Sequence, residues 1–309
     1  MRPMRFATQT GGAPSAAEWI ARAKRIEALG YDTLAMPDHT IGGAWAALPA
    51  LAALAMVTTR LRLGTLVLDN DFRNPVVLAR EVALLDVLSG GRFELGIGAG
   101  WLDRDYAGTG IPMDRGRVRV ARLAEAVRLM KRLFSEEQVD HAGTYYRVAK
   151  AECRPQTIQR PHPPLLIAGG GREILTLAAR EADIVAVVPE GITGSGKLAG
   201  EAVTLDTMAR QVALVREAAG SRFDEIELSM FLDCALTDDR ERTIAELAAK
   251  ADGAERALFA DSAYRGIGTL ADIQAHIMRV RDAIGVTYVC LRGPDVERLG
   301  PVVAALSGQ

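Results

Sequence analysis

The run Leu61-Arg62-Leu63-Gly64-Thr65-Leu66-Val67-Leu68 reads as a strand, apolar enough to be buried on both faces. Polar Asp69-Asn70-Asp71 interrupts it. Asn74-Pro75 then opens a helix over Val76 to Leu88, with Pro75 in a first turn where its missing N–H is not needed. Ser89-Gly90-Gly91 stops that helix. Arg92-Phe93-Glu94-Leu95-Gly96-Ile97 is a second strand, which runs into Gly98-Ala99-Gly100-Trp101. Strand, helix and strand joined by short connections make a parallel βαβ unit. Parallel strands bring the loops that follow them to one edge, and that edge is the expected active site.

Outward from this unit the same alternation continues. Strands are expected at Arg5 to Gln9 and Thr33 to Met36 before it, then at Leu165 to Ala168, Ile184 to Val188, Glu225 to Phe231 and Val286 to Leu291. The first helix is capped by Ser15, with Glu18 expected to complete a capping box and Gly30 to end it. Another follows from about Leu48 to Thr58. A polar loop from Trp101 to Arg115 precedes a long amphipathic helix to Phe134, whose arginine-rich face (Arg117, Arg119, Arg122, Arg128) reads as solvated. Residues 135–164 form an irregular, hairpin-containing insertion. The Gly-rich stretch Pro189 to Asp206 is the expected lid. Later helices fall at Thr207 to Ala219, Arg240 to Lys250, Leu270 to Ile284 and Pro294 to Leu306. Eight strands alternating with helices predict a (β/α)8 TIM barrel with insertions after strands 4 and 6. A doubly wound sheet would carry G-x-G-x-x-G after its first strand, and that is absent.

The chain of 309 residues fits one barrel domain, 1–309, and 49% apolar residues supply an ordinary large core. A net charge of −2 argues against nucleic acid or a membrane surface as partner. With no apolar leader, no spanning run, and Cys153, Cys234 and Cys290 far apart, a reduced cytoplasmic protein is expected. His39, His141, His162 and His276 show no metal-ligand spacing, and no G-x-S-x-G elbow occurs.

Several segments fall at strand ends in chain order: Asp38-His39, Gly64-Thr65-Leu66-Val67, Phe72-Arg73-Asn74-Pro75, Gly96 to Trp101, and Ala168-Gly169-Gly170-Gly171. With Ser89-Gly90-Gly91-Arg92, Ala178 to Asp183 and Arg222 to Leu228, this ordered set closely resembles the bacterial-luciferase-like flavoprotein family, most of all its branch of coenzyme F420-dependent oxidoreductases. The resemblance covers nearly the whole chain. It implies cofactor contacts at Asp38, Leu66, Val67, Gly98, Ala99, Gly100, Ala168, Gly169, Gly170 and Gly171, a non-prolyl cis peptide at Leu66-Val67, His39 as the catalytic group, and a homodimer through the helices around 48–58 and 75–88.

Physical chemistry is compatible with each role and with plainer ones. Gly169 to Gly171 opens a helix, where free N–H groups and the dipole favour an anion, but a tight turn needing positive φ would use the same residues. Gly98-Ala99-Gly100 lets a flat ring approach the main chain, and reads equally as a flexible turn. The Asp38-His39 pair suits proton handling or simple loop capping. Trp101 fits a substrate wall or a packed position; some deazaflavin sugar-phosphate dehydrogenases carry Glu here, so the sugar-phosphate reaction is disfavoured. The expected activity is hydride transfer between F420 and a small organic substrate. Alternatives are a monooxygenase using reduced FMN from a separate reductase, a non-catalytic flavin-binding barrel, and a phosphate-binding barrel isomerase or lyase.

Overall fold

The computed structural model describes residues 2–191, 200–250, 257–260, 262–294 and 296–309. Eight parallel strands form the barrel: β1 (Arg5–Gln9), β2 (Thr33–Met36), β3 (Arg62–Thr65), β4 (Phe93–Gly98), β5 (Leu165–Gly169), β6 (Ile184–Val187), β7 (Glu227–Leu236) and β8 (Tyr288–Arg292). They pair in chain order, and β8 closes the ring on β1 with Arg5 opposite Tyr288. Around them lie α1 (Ala16–Ala28), α2 (Ala47–Ala55), α3 (Pro75–Ser89), α4 (Asp103–Thr109), α5 (Gly116–Ser135), α6 (Arg172–Glu181), α7 (Leu205–Ala219), α8 (Arg240–Lys250), α9 (Ala257–Ala260), α10 (Leu270–Ile284) and α11 (Gly300–Leu306). No helix among the described residues is long and apolar enough to cross a membrane.

Alternation along the strands sorts side chains between two cores. Phe6, Leu34, Leu63, Phe93 and Leu291 pack outward against the helices. Inside the barrel, the side chains stack in layers. At the strand N-terminal end, Glu94 accepts from Arg5 Nη1 and Arg62 Nε, both at 2.6 Å, and from Tyr288 Oη at 3.0 Å. Arg5 also grips Glu227 through Nε and Nη2 at 2.8 and 2.7 Å and stacks 3.5 Å from the Tyr288 ring centroid. Above this polar floor sits a small apolar layer containing Ala7, Leu166, Ala186 and Cys290.

Between β3 and β4 the register slips. Gly64 faces Glu94 and Leu68 faces Ile97, so four steps along one chain match three along the other, which is a bulge. Leu66-Val67 is a non-prolyl cis peptide inside that bulge, as the resemblance implied. The glycines of Gly96-Ile97-Gly98 follow from it: a Cβ on Gly96 would overlap the Thr65 carbonyl, and one on Gly98 would come within 2.9 Å of Val67 Cγ2.

Several boundaries differ from the sequence expectation. Ser15 caps α1 by accepting from the Glu18 N–H, but the Glu18 carboxylate turns to Arg25 instead of closing a capping box; a complete box forms at Thr269 and Asp272. The polar loop after Trp101 contains α4, too short to show periodicity. The insertion after β4 does hold a hairpin, Val139–Ala142 with Arg147–Ala151. That after β6 contains a 3-10 turn at Gly200–Val203, while residues 192–199 of the expected lid lie outside the described residues. A further excursion follows β7, which runs five residues beyond its predicted end and pairs there with an additional strand, Arg265–Gly268.

Removing the Glu94 carboxylate should leave the half-buried Arg62 guanidinium without its carboxylate partner and the half-buried Arg5 with Glu227 alone. Glu94→Ala is expected to cost about 3–5 kcal/mol of folding stability, measured by urea denaturation; a loss below about 1 kcal/mol, the scale of an ordinary surface pair, would show that the floor is not what holds this end closed.

Candidate active site

At the C-terminal ends of the strands a cavity of about 690 Å³ opens, the end of such barrels where binding loops gather. Every site residue expected from the sequence lines it: Asp38, His39, Leu66, Val67, Gly98, Ala99, Gly100, Trp101, Ala168, Gly169, Gly170 and Gly171. A larger groove of about 1100 Å³ lies at the opposite end, between α7, α10 and the starts of β7 and β8. It contains none of these residues.

His39 follows β2 and is held by α4. Its Nδ1 lies 2.7 Å from Asp105 Oδ2, and Asp105 Oδ1 accepts from the Thr40 N–H at 2.8 Å and the Thr40 hydroxyl at 3.0 Å. An ionised carboxylate only accepts, so His39 carries a proton on Nδ1, and its Nε2 makes no hydrogen bond among the described residues. Burial opposes the charge on Asp105, but the bonds from His39 and Thr40 outweigh it and hold the carboxyl below the usual range. Trp101 is 41% exposed and meets the imidazole edge-on, ring centroids 6.1 Å apart. Its position is therefore a rim wall and not a packed core.

Asp38 lines the cavity, yet its carboxylate is engaged: Arg73 grips both oxygens, with Nη2 to Oδ1 at 2.9 Å, and the Asp69 N–H donates to Oδ2 at 3.0 Å. Asp69 and Tyr106 complete this side, under Gly100, whose φ of +73° and lack of a Cβ let the loop lie on both. Across the mouth, Arg292 pairs with Asp233 through two bonds of 2.8 and 3.0 Å and lies over the Phe231 ring at 3.7 Å. Gln9 donates to the Leu66 carbonyl and so ties β1 to the bulge.

The glycine loop after β5 is a close-approach device. None of Gly169, Gly170 and Gly171 has positive φ, so the tight-turn alternative falls. A Cβ on Gly169 would overlap Ile174, and one on Gly170 would sit 2.7 Å from the carbonyls of Val188 and Pro189. Gly171 caps α6 without a side-chain hydrogen bond, which leaves first-turn N–H groups available at the cavity edge.

The arginine-rich face of α5 is not simply solvated. Arg119 turns inward, lines the cavity, and donates to the Ala99 and Gly100 carbonyls at 3.0 and 3.2 Å. Arg122 pairs with Asp71, and Arg128 with Glu181. Asp69, Asp105, Tyr106 and Arg119 were not foreseen as site residues: two lie on the unrecognised α4, and the others bear charge in segments read as turn or solvated face. Among the described residues no group of three metal-ligating side chains occurs.

Fold and site together define a β/α barrel with a cofactor-sized cavity at its strand ends. The sequence pattern of the luciferase-like monooxygenase family matches residues 2–284, and the chain belongs to that family. It is 30% identical to an F420-dependent glucose-6-phosphate dehydrogenase of Amycolatopsis mediterranei over 234 residues, 73% of this chain and 67% of that one. Its counterpart from Intrasporangium calvum is 37% identical over 177 residues, 54% of this chain and 52% of that protein. The chain thus spans about half to two thirds of these relatives. An F420-dependent secondary alcohol dehydrogenase, solved with an F420-acetone adduct, shares the fold with a TM-score of 0.81 at 19% identity, over 97% of this chain and 99% of that one.

Because the folded Asp105 carboxyl is held below its ordinary value, its stabilising contribution is complete above the normal Asp range and is lost as pH falls through the lower folded value. The stability difference between the wild type and Asp105→Asn should therefore be larger at pH 6 than at pH 3.5. A gap that is constant or widens on acidification, read from denaturation midpoints, would contradict the assignment.

Proposed function

We propose that the protein is an oxidoreductase that exchanges a hydride between the deazaflavin coenzyme F420 and a small organic substrate. The observation that carries this is convergence: the glycine loop with an uncapped helix start, the Leu66-Val67 bulge and the His39-Asp105 pair all face one cavity. These residues fit the group. First-turn N–H groups of α6 suit a phosphoryl end, and glycines that admit no Cβ give a flat ring its approach to main chain. When bound, the coenzyme supplies hydride chemistry at its ring, and the protein supplies orientation and a proton. Leu66, Val67, Gly98, Ala99 and Gly100 would flank the ring, with Ala168 and Gly169 to Gly171 at the phosphoryl end.

His39 is the proton carrier in this reading. With Nδ1–H directed at Asp105, Nε2 takes a proton from a substrate hydroxyl or, once protonated, gives one to a carbonyl oxygen. Asp105 stabilises the imidazolium in between. Trp101 stands where, by the resemblance, some deazaflavin sugar-phosphate dehydrogenases carry Glu; it offers an apolar edge, which favours a less polar substrate than a sugar phosphate. The family's monooxygenase description favours a second reading, in which a separate reductase supplies reduced FMN to the same site.

The helices outside the site support a homodimer. Val77, Leu84 and Leu88 on α3 are 52%, 46% and 37% exposed, and Met56 beside α2 is 67% exposed. Spacings of seven and four place the α3 residues on one stripe, a covered face in an assembled protein.

Titration of the purified protein with F420 and with FMN, followed by ring fluorescence, should show micromolar binding of the deazaflavin; binding of FMN alone would reverse the two readings. His39→Ala should leave cofactor affinity within about twofold and slow turnover ~10²–10⁴-fold, assayed on any alcohol or carbonyl compound that exchanges a hydride with F420. Full turnover in that variant would remove His39 from the chemistry, and no turnover on any substrate with tight binding would favour a non-catalytic barrel. Sedimentation should give a dimer mass for the wild type and a monomer for Leu84→Glu combined with Leu88→Glu; a monomeric wild type would refute the interface.

A further inference from the structure

Asp69 stands just past the bulge, on the same rim as His39, and is 8% exposed. Its Oδ1 accepts from the Asp71 N–H at 2.9 Å and lies 3.3 Å from Tyr106 Oη. Its Oδ2 makes no hydrogen bond among the described residues and is not sealed off from the cavity.

Proton counting distinguishes Asp69 from its neighbours. Tyr106 has one hydroxyl proton and a nearer acceptor, Asp71 Oδ2 at 3.0 Å. Asp71 is in turn ion-paired with Arg122, Nε to Oδ1 at 3.2 Å. The one phenol proton is therefore shared, donated to Asp71 and only at the longer 3.3 Å to Asp69 Oδ1, which gives a negative charge on Asp69 little support. The charges around Asp69 agree. Asp71 faces it from its own turn and Asp38 from the loop after β2, the latter neutralised by Arg73. Tyr106 faces it from α4, with Arg119 beyond, 5.8 Å from the phenol ring. No cation pairs with Asp69 itself among the described residues.

We propose that Asp69 is a second proton-carrying group of this site, whose neutral carboxyl offers a bound ring one hydrogen-bond donor at Oδ2. The ring in question is the one assigned above, and this part rests on that reading. A neutral carboxyl protonated on Oδ2 can donate to a ring carbonyl of a pyrimidinedione, whereas a carboxylate presents acceptors alone. Burial first, then the charge of Asp71, pushes the Asp69 carboxyl up to about 6. A group so placed switches from donor to acceptor near pH 6.

The test has two arms. In ligand-free protein labelled with ¹³C at the aspartate carboxyls, the resonance missing from Asp69→Asn should titrate with a midpoint near 6, and Asp71→Asn should move that midpoint down. In the second arm F420 and FMN are titrated between pH 5.5 and 7.5. The wild type should lose affinity by about tenfold or more as the competent neutral form is depleted. Asp69→Asn, whose amide keeps both a donor and an acceptor, should lack that component, while the ligand's own titration is common to both proteins and cancels. A midpoint below about 4.5, the ordinary carboxyl range, or equal pH dependence in Asp69→Asn, would overturn the proposal. If neither cofactor binds at any pH, the functional reading and the ring contact fail together, and the carboxyl titration still decides whether Asp69 carries the proton.

Discussion

Glu94 is a carboxylate with almost no access to water, and strands from all around the barrel meet on it. Arg5 reaches it from β1, Arg62 from β3 and Tyr288 from β8, while Arg5 extends the contact to Glu227 on β7. Burying charges is costly unless each is paired and its remaining hydrogen bonds are made, and here they are. The arrangement specifies more than it stabilises. Strands cannot slide past one another without breaking it, because a one-residue slip turns each of these side chains out of the barrel. With register held at the floor, the residues two and four places further along each strand arrive in the middle layer and at the mouth.

That coupling is why the site is where it is. Arg5, Ala7 and Gln9 climb one strand from floor to rim, as do Tyr288, Cys290 and Arg292 on another. At the top, α4 sets the chemistry with two consecutive side chains. Asp105 is a carboxylate aimed at an imidazole, and Tyr106 is a phenol beside a carboxyl. Neighbouring residues on one short helix therefore reach two different titratable groups. The bulge between β3 and β4 fills the space between those groups and the glycine loop, and Gly96 and Gly98 exist to make room for it.

Much of this was legible beforehand because it depends on local chemistry. Asn74-Pro75 and Gly90 start and stop α3 through capping and positive φ, effects contained within a few residues. Apolar runs bounded by turn residues identified all eight barrel strands. The glycines after β4 and β5 stood out as backbone needing close approach, although the reason proved to be neighbouring atoms and not left-handed φ at Gly169 to Gly171. What escaped was short or dependent on distant partners. Seven residues of α4 carry no apolar period, and the strand Arg265–Gly268 is too brief to announce itself without the edge of β7 that receives it.

The chain alone, then, determined its alternation of strands and helices, the edge on which the loops collect, and the residue types present there, because periodicity, caps and glycine placement act over one or two turns. Tertiary structure alone decided how those residues are used. Asp38 is committed to Arg73, Arg119 turns from solvent to the cavity, and Asp105 and Tyr106 become the partners of His39 and Asp69. Protonation and charge are set by what lies within about 3 Å in space, and those neighbours come from elements up to 66 residues away in the chain.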